Sequence, residues 1–466
     1  MNPYAVIATI AAYFAVAVLV SRLSQRGGGD FFGGRRNSWW LVTLAMISSC
    51  MSGVTFVSVP GMVASSGMGY LQMCIGFFLG YLVIAFVLTP LYFRLGVVSI
   101  YQYLEQRFGL CSYKTGAWFF FISKLLGASV RLFLVCLTLQ MLLFGPLGLP
   151  FALNVAVSVG IVLAYTWKGG VRSVIGNDIL RTVCMLAAVI LTTVFIARAL
   201  PQGVFRTIAD SGMDKFFFFD DVDHPQYFWK QVLGGLFMVV AMTGLDQDMM
   251  QRTLTCRNVR ESQKNLIISS LLQTVVIAAF LCLGVLMYAY AGISGIEAKG
   301  DGLFPAVATG EGLPAVAGIL FIVGLVSSAY GAGGSALTAL TTSFTVDILG
   351  TKEPRTRKAV HLGMAVLMWG VIVVFAALNS TSAIDAVYSL ASYTYGPILG
   401  MFAFGILTPW KVRDRLVPVA AVAAPLICLA LNHYSSQLFG GYNFSYEILP
   451  INAALTFLLL CGLKRR

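Results

Sequence analysis

Met51-Ser52-Gly53-Val54-Thr55-Phe56-Val57-Ser58-Val59-Pro60-Gly61 decides the fold. It places small polar residues, glycines and a proline where an apolar span, residues 39–58, would otherwise continue as plain helix. Five spans later the pattern returns. Residues 229–250 carry Gly234, Gly235, Thr243 and Gly244, followed directly by Asp246-Gln247-Asp248. Interrupted helices at corresponding places in two halves of a chain point to an inverted-repeat transporter with its site at the bilayer midplane. The carbonyls and helix ends freed by such breaks bind ions and polar solutes. Glycine-mediated helix packing is the plainer reading; the matched spacing favours the transporter.

The composition agrees. The chain is 58% hydrophobic and 11% charged, which no ordinary soluble domain is. Thirteen apolar runs are long enough to cross the hydrocarbon core: 4–20, 39–58, 71–93, 116–143, 149–167, 174–197, 229–250, 266–293, 313–345, 359–378, 384–407, 417–431 and 449–463. With the amino terminus outside and the carboxyl terminus inside, the inward loops collect most of the basic residues, among them Arg35, Arg36, Arg257, Arg260, Lys411 and Arg413. The outward loops keep Arg198, Arg206, Lys215, Lys230 and Lys299. That is the positive-inside pattern, and it alternates correctly only for an odd number of spans. The net charge of +12 is therefore a topology signal. Its bases are scattered over short loops, with no stripe or motif for nucleic acid.

Other classes fall away. Residues 4–20 lack the charged leader and small-residue cleavage site of a signal peptide. Nine Cys stand singly, without CxxC spacing, and three His are far apart, so no metal site is expected. No phosphate loop or nucleophile elbow occurs, and an enzyme is not expected. The polar excursion 198–227 reads as an outer loop, with a short surface helix over 203–213 and an interfacial run at Phe216–Phe219.

Two charged pairs lie inside spans. Asp178 and Arg181 are one helical turn apart in 174–197. Lys124 and Arg131 are seven apart, on one face of 116–143. Ionisable residues at this depth are expensive and mark function by default. For each the structural reading stands beside it: a local ion pair with Arg181 reaching toward water, or Lys124 and Arg131 pairing with acids of neighbouring helices.

Several motifs resemble those of the sodium:solute symporter family. They are Ser52-Gly53-Val54-Thr55-Phe56 with Pro60-Gly61, the run from Ser99 to Gly109, Asp246-Gln247-Asp248-Met249-Met250-Gln251-Arg252, and Ser392-Tyr393-Thr394-Tyr395-Gly396-Pro397, in family order over nearly the whole chain. The resemblance implies an all-α integral membrane protein with a leucine-transporter-like 5+5 inverted repeat. It divides the chain into an extra amino-terminal helix and basic loop (1–38), a first repeat (39–200), an outer loop with the second repeat (201–407), and two further helices (408–466). It implies a secondary transporter of a small polar solute, a sugar, sugar acid or other organic anion, working by alternating access as a monomer in the cytoplasmic membrane.

The resemblance also locates a departure. Family members that use sodium hold it between the first and eighth core helices. The matching carbonyls here are those of Ser48 and Met51. The matching hydroxyl positions are Gly331 and Ala332, and the next is Gly334; only Ser335 keeps an oxygen, with Ser328 one turn earlier. Sodium wants oxygen ligands, and glycine and alanine side chains have none. On the fifth core helix Asp178 matches a family aspartate, and Arg181 stands where glutamine is common. The expectation is a chain without cofactor: sodium replaced by the fixed guanidinium of Arg181 with Asp178 as counter-ion, and a proton as the ion open for coupling. Ser335 joins that ion-coupling group. Ser52, Thr55, Ser58, Gln72, Arg131 and Asp246 are the expected substrate-binding residues, Arg131 holding a carboxylate. Ordinary sodium symport and a transport-dead sensor are the alternatives.

Overall fold

The structure is a computed structural model. It describes residues 3–26, 38–96, 99–168, 174–310, 312–351, 353–378, 382–442 and 444–465, with side chains at 17–26 and 174–179 among those outside the description. The basic loop at 27–37 lies outside it, and so does the side chain of Asp178. Among the described residues there are helices and no strand; one isolated antiparallel bridge joins Val412 to Lys464.

The helices that matter are α1 (Pro3–Arg26), α2 (Trp39–Cys50), α3 (Gly53–Gly61), α4 (Tyr70–Leu95), α5 (Leu110–Phe144), α6 (Phe151–Lys168), α7 (Val174–Ala199), α8 (Phe228–Gly244), α9 (Gln247–Thr253), α10 (Val259–Ser294), α11 (Ala315–Ile348), α12 (Pro354–Leu378), α13 (Ala383–Thr394), α14 (Gly396–Leu407), α15 (Val417–His433) and α16 (Ile448–Gly462). Among the described residues, seven helices are long and apolar enough to cross a bilayer, and ten spans result if each bent pair counts as one. Three more apolar helices are shorter: Tyr4–Val16, Phe151–Ala164 and Ile448–Gly462. A surface helix, Val204–Asp210, falls within the stretch expected to hold one.

Both expected breaks are present. α2 meets α3 at 58°, and α8 meets α9 at 76°. The second break has a visible cause on each side. α8 ends in a widened π-type turn over Val240–Gly244, and the Asp246 carboxylate then accepts from the amides of Asp248 and Met249, capping α9. The run expected as one span at 384–407 is instead two helices bent by 47°. Pro397 is the reason: it has no amide for the helical ladder, so it sits in the first turn of a new helix, α14.

Glycines let the broken helices approach their neighbours. A Cβ at Gly76 or Gly80 of α4 would strike the backbone of α8, and one at Gly235 of α8 would strike the Met73 carbonyl. Phe56 of α3 is fully buried, stacked on Phe304 with centroids 4.9 Å apart and edge-on to Phe280 of α10 at 5.6 Å. The tip of α3 is tied down as well: Tyr288 of α10 donates to the Gly61 carbonyl at 2.6 Å.

Candidate functional site

The α8–α9 and α13–α14 breaks border a narrow cavity lined by α5, α8, α9 and α13, with Lys124, Arg131, Asp246, Val387, Leu390 and Tyr395 on its wall. Its charges are unevenly matched. Lys124 Nζ lies 3.0 Å from Asp246 Oδ2 and 3.4 Å from Asp248 Oδ2. Tyr395, at the bend between α13 and α14, donates to Asp246 Oδ2 at 3.1 Å. Asp248 faces Arg252 Nε at 3.6 Å, and Arg252 Nη2 donates to Ser335 Oγ at 3.1 Å. Arg131 is different. It is half-buried on the cavity wall and makes no hydrogen bond or ion pair among the described residues. A guanidinium cannot shed its charge in a protein, so this one presents a fixed positive charge to the cavity.

The expected substrate residues separate into three groups. Arg131 and Asp246 share the cavity, but Asp246 is fully engaged by Lys124, Tyr395 and two backbone amides. Ser52 and Ser58 are buried and Thr55 half-buried along α3; Ser52 stands at the break itself, and Ser58 faces Asp301 of the Gly300–Gly302 turn. Gln72 is elsewhere. Its Nε2 donates to the carbonyls of Gly69 and Gln226, and its Oε1 accepts from the Phe218 amide at 3.0 Å, so its amide braces the loop before α8. Lys124 takes the structural reading weighed for it, pairing with acids of a neighbouring helix; Tyr395 was not among the site residues expected. The Ser392–Pro397 motif held the signal for Tyr395, whose role rests on a partner 149 positions away.

The second cluster lies between α2, α7 and α11. Arg181 is 2% exposed. Its Nε donates to Ser48 Oγ at 2.6 Å and its Nη2 to the Ser48 carbonyl at 2.5 Å. Across from it, a Cβ on Gly331 would run into Arg181 Nη1. Ala332 is half-buried and Gly334 buried. Met51 closes α2 with its amide on the Ile47 carbonyl. Ser328 turns its hydroxyl back to the Leu325 carbonyl at 2.9 Å. Ser335, expected with Arg181, is bound to Arg252 instead: it lies one turn further along α11.

Comparison with known proteins gives the frame. Residues 31–416 match the sodium:solute symporter family. The human sodium/iodide cotransporter is 25% identical over 97% of this chain and 72% of its own length. Mouse sodium-coupled monocarboxylate transporter 1 is 27% identical over 86% of the chain and 67% of its length. The sodium/sialic acid symporter of Aliivibrio fischeri is 25% identical over 87% and 83%. A solved structure described as the substrate-bound outward-open state of a Na+-coupled sialic acid symporter, revealing a novel Na+ site, superposes with a TM-score of 0.79 at 19% identity, covering 98% of this chain and 96% of that one.

The expectation of a chain without cofactor is thereby corrected. The relatives are named for sodium, and the solved neighbour is described with a Na+ site. The physical error was one of scope: erasing the oxygen ligands at one position removes an ion from that position and says nothing of others. At that position the residues present do not fit sodium. Both oxygens of Ser48 are spent on Arg181, and Gly331, Ala332 and Gly334 offer no side-chain oxygen. With the family matched along most of its length and the fold shared almost end to end, the chain belongs to the sodium:solute symporter family, a multi-pass membrane transporter of a small solute and not an enzyme.

Proposed function

We propose that this transporter carries a small organic anion by alternating access, with Arg131 as the group that receives the anionic end. The observation that carries the proposal is a half-buried guanidinium on the central cavity with no acidic partner among the described residues, beside a lysine and a second arginine that are already paired. The relatives' named cargoes, iodide, monocarboxylates and sialic acid, are all anions. A sugar acid fits the further hydroxyls along α3, where Ser52 and Thr55 flank the break. Arg181 is the fixed charge of the position between α2 and α11, with Asp178 as its counter-ion on the same helix. The chain works as a monomer with its amino terminus outside and thirteen crossings, a number supported by seven long helices, three bent pairs and three shorter apolar helices.

Ordinary sodium symport is the second reading, favoured by the names of the relatives. Proteoliposome uptake of sialic acid, a short monocarboxylate and a neutral sugar, each with and without a sodium gradient, separates the readings. Arg131→Gln is expected to weaken uptake of the anion about 10–100-fold, the worth of a charge-assisted hydrogen bond. Full affinity for an acidic substrate in that variant overturns the assignment.

A further inference from the structure

Residues 213–219 connect the Val204–Asp210 helix toward α8 without helix or strand of their own. Their aromatic side chains divide. Phe218 turns inward: its ring stacks on His224 at 5.3 Å, and its amide donates to Gln72. Phe217 and Phe219 turn outward and meet Phe228 at 6.1 and 4.6 Å, and Phe228 meets Trp229 at 5.1 Å. Phe217, Phe219 and Trp229 are 51%, 56% and 55% exposed. This patch is continuous with Leu233, exposed on the membrane-spanning helix α8. Directly after it come Asp220, Asp221 and Asp223, all exposed.

Rings at one edge and carboxylates at the next fix a depth. The carboxylates require water and cannot follow the rings into hydrocarbon. Tryptophan sits best at the level of the lipid headgroups, and phenylalanine rings beside a polar edge bury shallowly at the headgroup/acyl boundary. We propose that Phe217, Phe219 and Trp229 form an aromatic strap docked in the phospholipid headgroup layer on the face of the membrane that carries this loop. The strap is also hydrogen-bonded to the corner between α3 and α4. The Met68 amide donates to the Lys215 carbonyl at 3.0 Å, and Gln72 holds both Phe218 and Gln226. Lipid contact therefore restrains the corner that follows the broken helix.

The test uses the full chain in phospholipid nanodiscs doped with photoactivatable lipids, the diazirine placed near the glycerol in one and at the acyl end in the other. Labelled sites are mapped by mass spectrometry. The shallow probe is expected to label residues 216–219 and Trp229, and the deep probe to label Leu233 but not 216–219. Phe217→Ser/Phe219→Ser is expected to lose shallow labelling at 216–219 while Trp229 keeps it, which also shows that the variant folds. Labelling of 216–219 by a water-soluble diazirine alone overturns the proposal. So does a chain-to-chain cross-link there in place of lipid, or shallow labelling unchanged in the double variant.

Discussion

A sodium ion and a guanidinium carry the same charge, but only one of them is tied to the chain. Arg181 reaches its position because two residues give way to it. Ser48 turns hydroxyl and carbonyl toward it, and Gly331 withholds the Cβ that would fill the same space. The glycine is thus part of the charge's socket. Gly331→Ala is expected to destabilise the protein by about 1–3 kcal/mol, the usual cost of overpacking a filled interior. In Arg181→Gln, where the side chain is shorter, the same alanine is expected to cost less. Thermal unfolding of the two single variants and the double variant in one detergent measures the coupling. Additive effects would show that Gly331 and Arg181 do not share the space. Much of this corner was legible in the sequence, because a fixed charge and missing hydroxyls are both statements about residue type. That Ser48 contributes its side chain as well as its carbonyl was not, since a rotamer on α2 leaves no trace in the residues around it.

Elements show the same division. The α2–α3 and α8–α9 breaks were legible because glycines and small polar residues crowd an apolar run. The α13–α14 bend is hidden in a motif whose Gly-Pro pair reads as a family likeness and not as a break. Gln72 misled for a related reason: a polar residue inside a span looks like a ligand until its partners are known, and these lie 146 and 154 positions away. One interaction between elements is titratable. Asp301, in the turn between α10 and α11, accepts from the Ala383 amide at 3.1 Å at the start of α13 and faces Ser58 at the end of α3. Burial pushes its carboxyl above the ordinary range, and the hydrogen bond from the Ala383 amide and the nearby Ser58 hydroxyl only partly offset this. The native state therefore holds this proton more tightly than the unfolded chain does. Its contribution to stability is present at low pH and is lost as pH rises through the raised value. Asp301→Asn is expected to melt higher than the parent at about pH 7, with the difference closing as pH falls to about 4, the unfolded carboxylate value. A difference that stays constant across this range would show that the charge of Asp301 is not what costs stability.

For the whole molecule, the issue is which charges stay with the protein through the transport cycle and which travel. Lys124, Asp246, Asp248 and Arg252 form a closed chain of opposite charges across α5, α9 and, through Ser335, α11. Such a network holds helices together at little net charge, and among the described residues it leaves Arg131 on the cavity without an ion-pair partner. Arg181 is likewise resident. If it stays there through the cycle, a sodium ion that moves with the solute uses oxygens other than those of Ser48. Stability measured against sodium tests this, because a ligand that binds only the folded state raises the melting temperature, and does so with the logarithm of its concentration over its dissociation constant. Replacing Arg181 with Ser removes the resident charge, frees both Ser48 oxygens and adds a hydroxyl. At equal ionic strength, exchanging potassium for sodium is expected to raise the melting temperature of Arg181→Ser more than that of the parent. A shift of equal size in both proteins would place sodium at a different site on the chain. A larger shift in the parent would mean that the guanidinium supports sodium binding, and the substitution argument would fail.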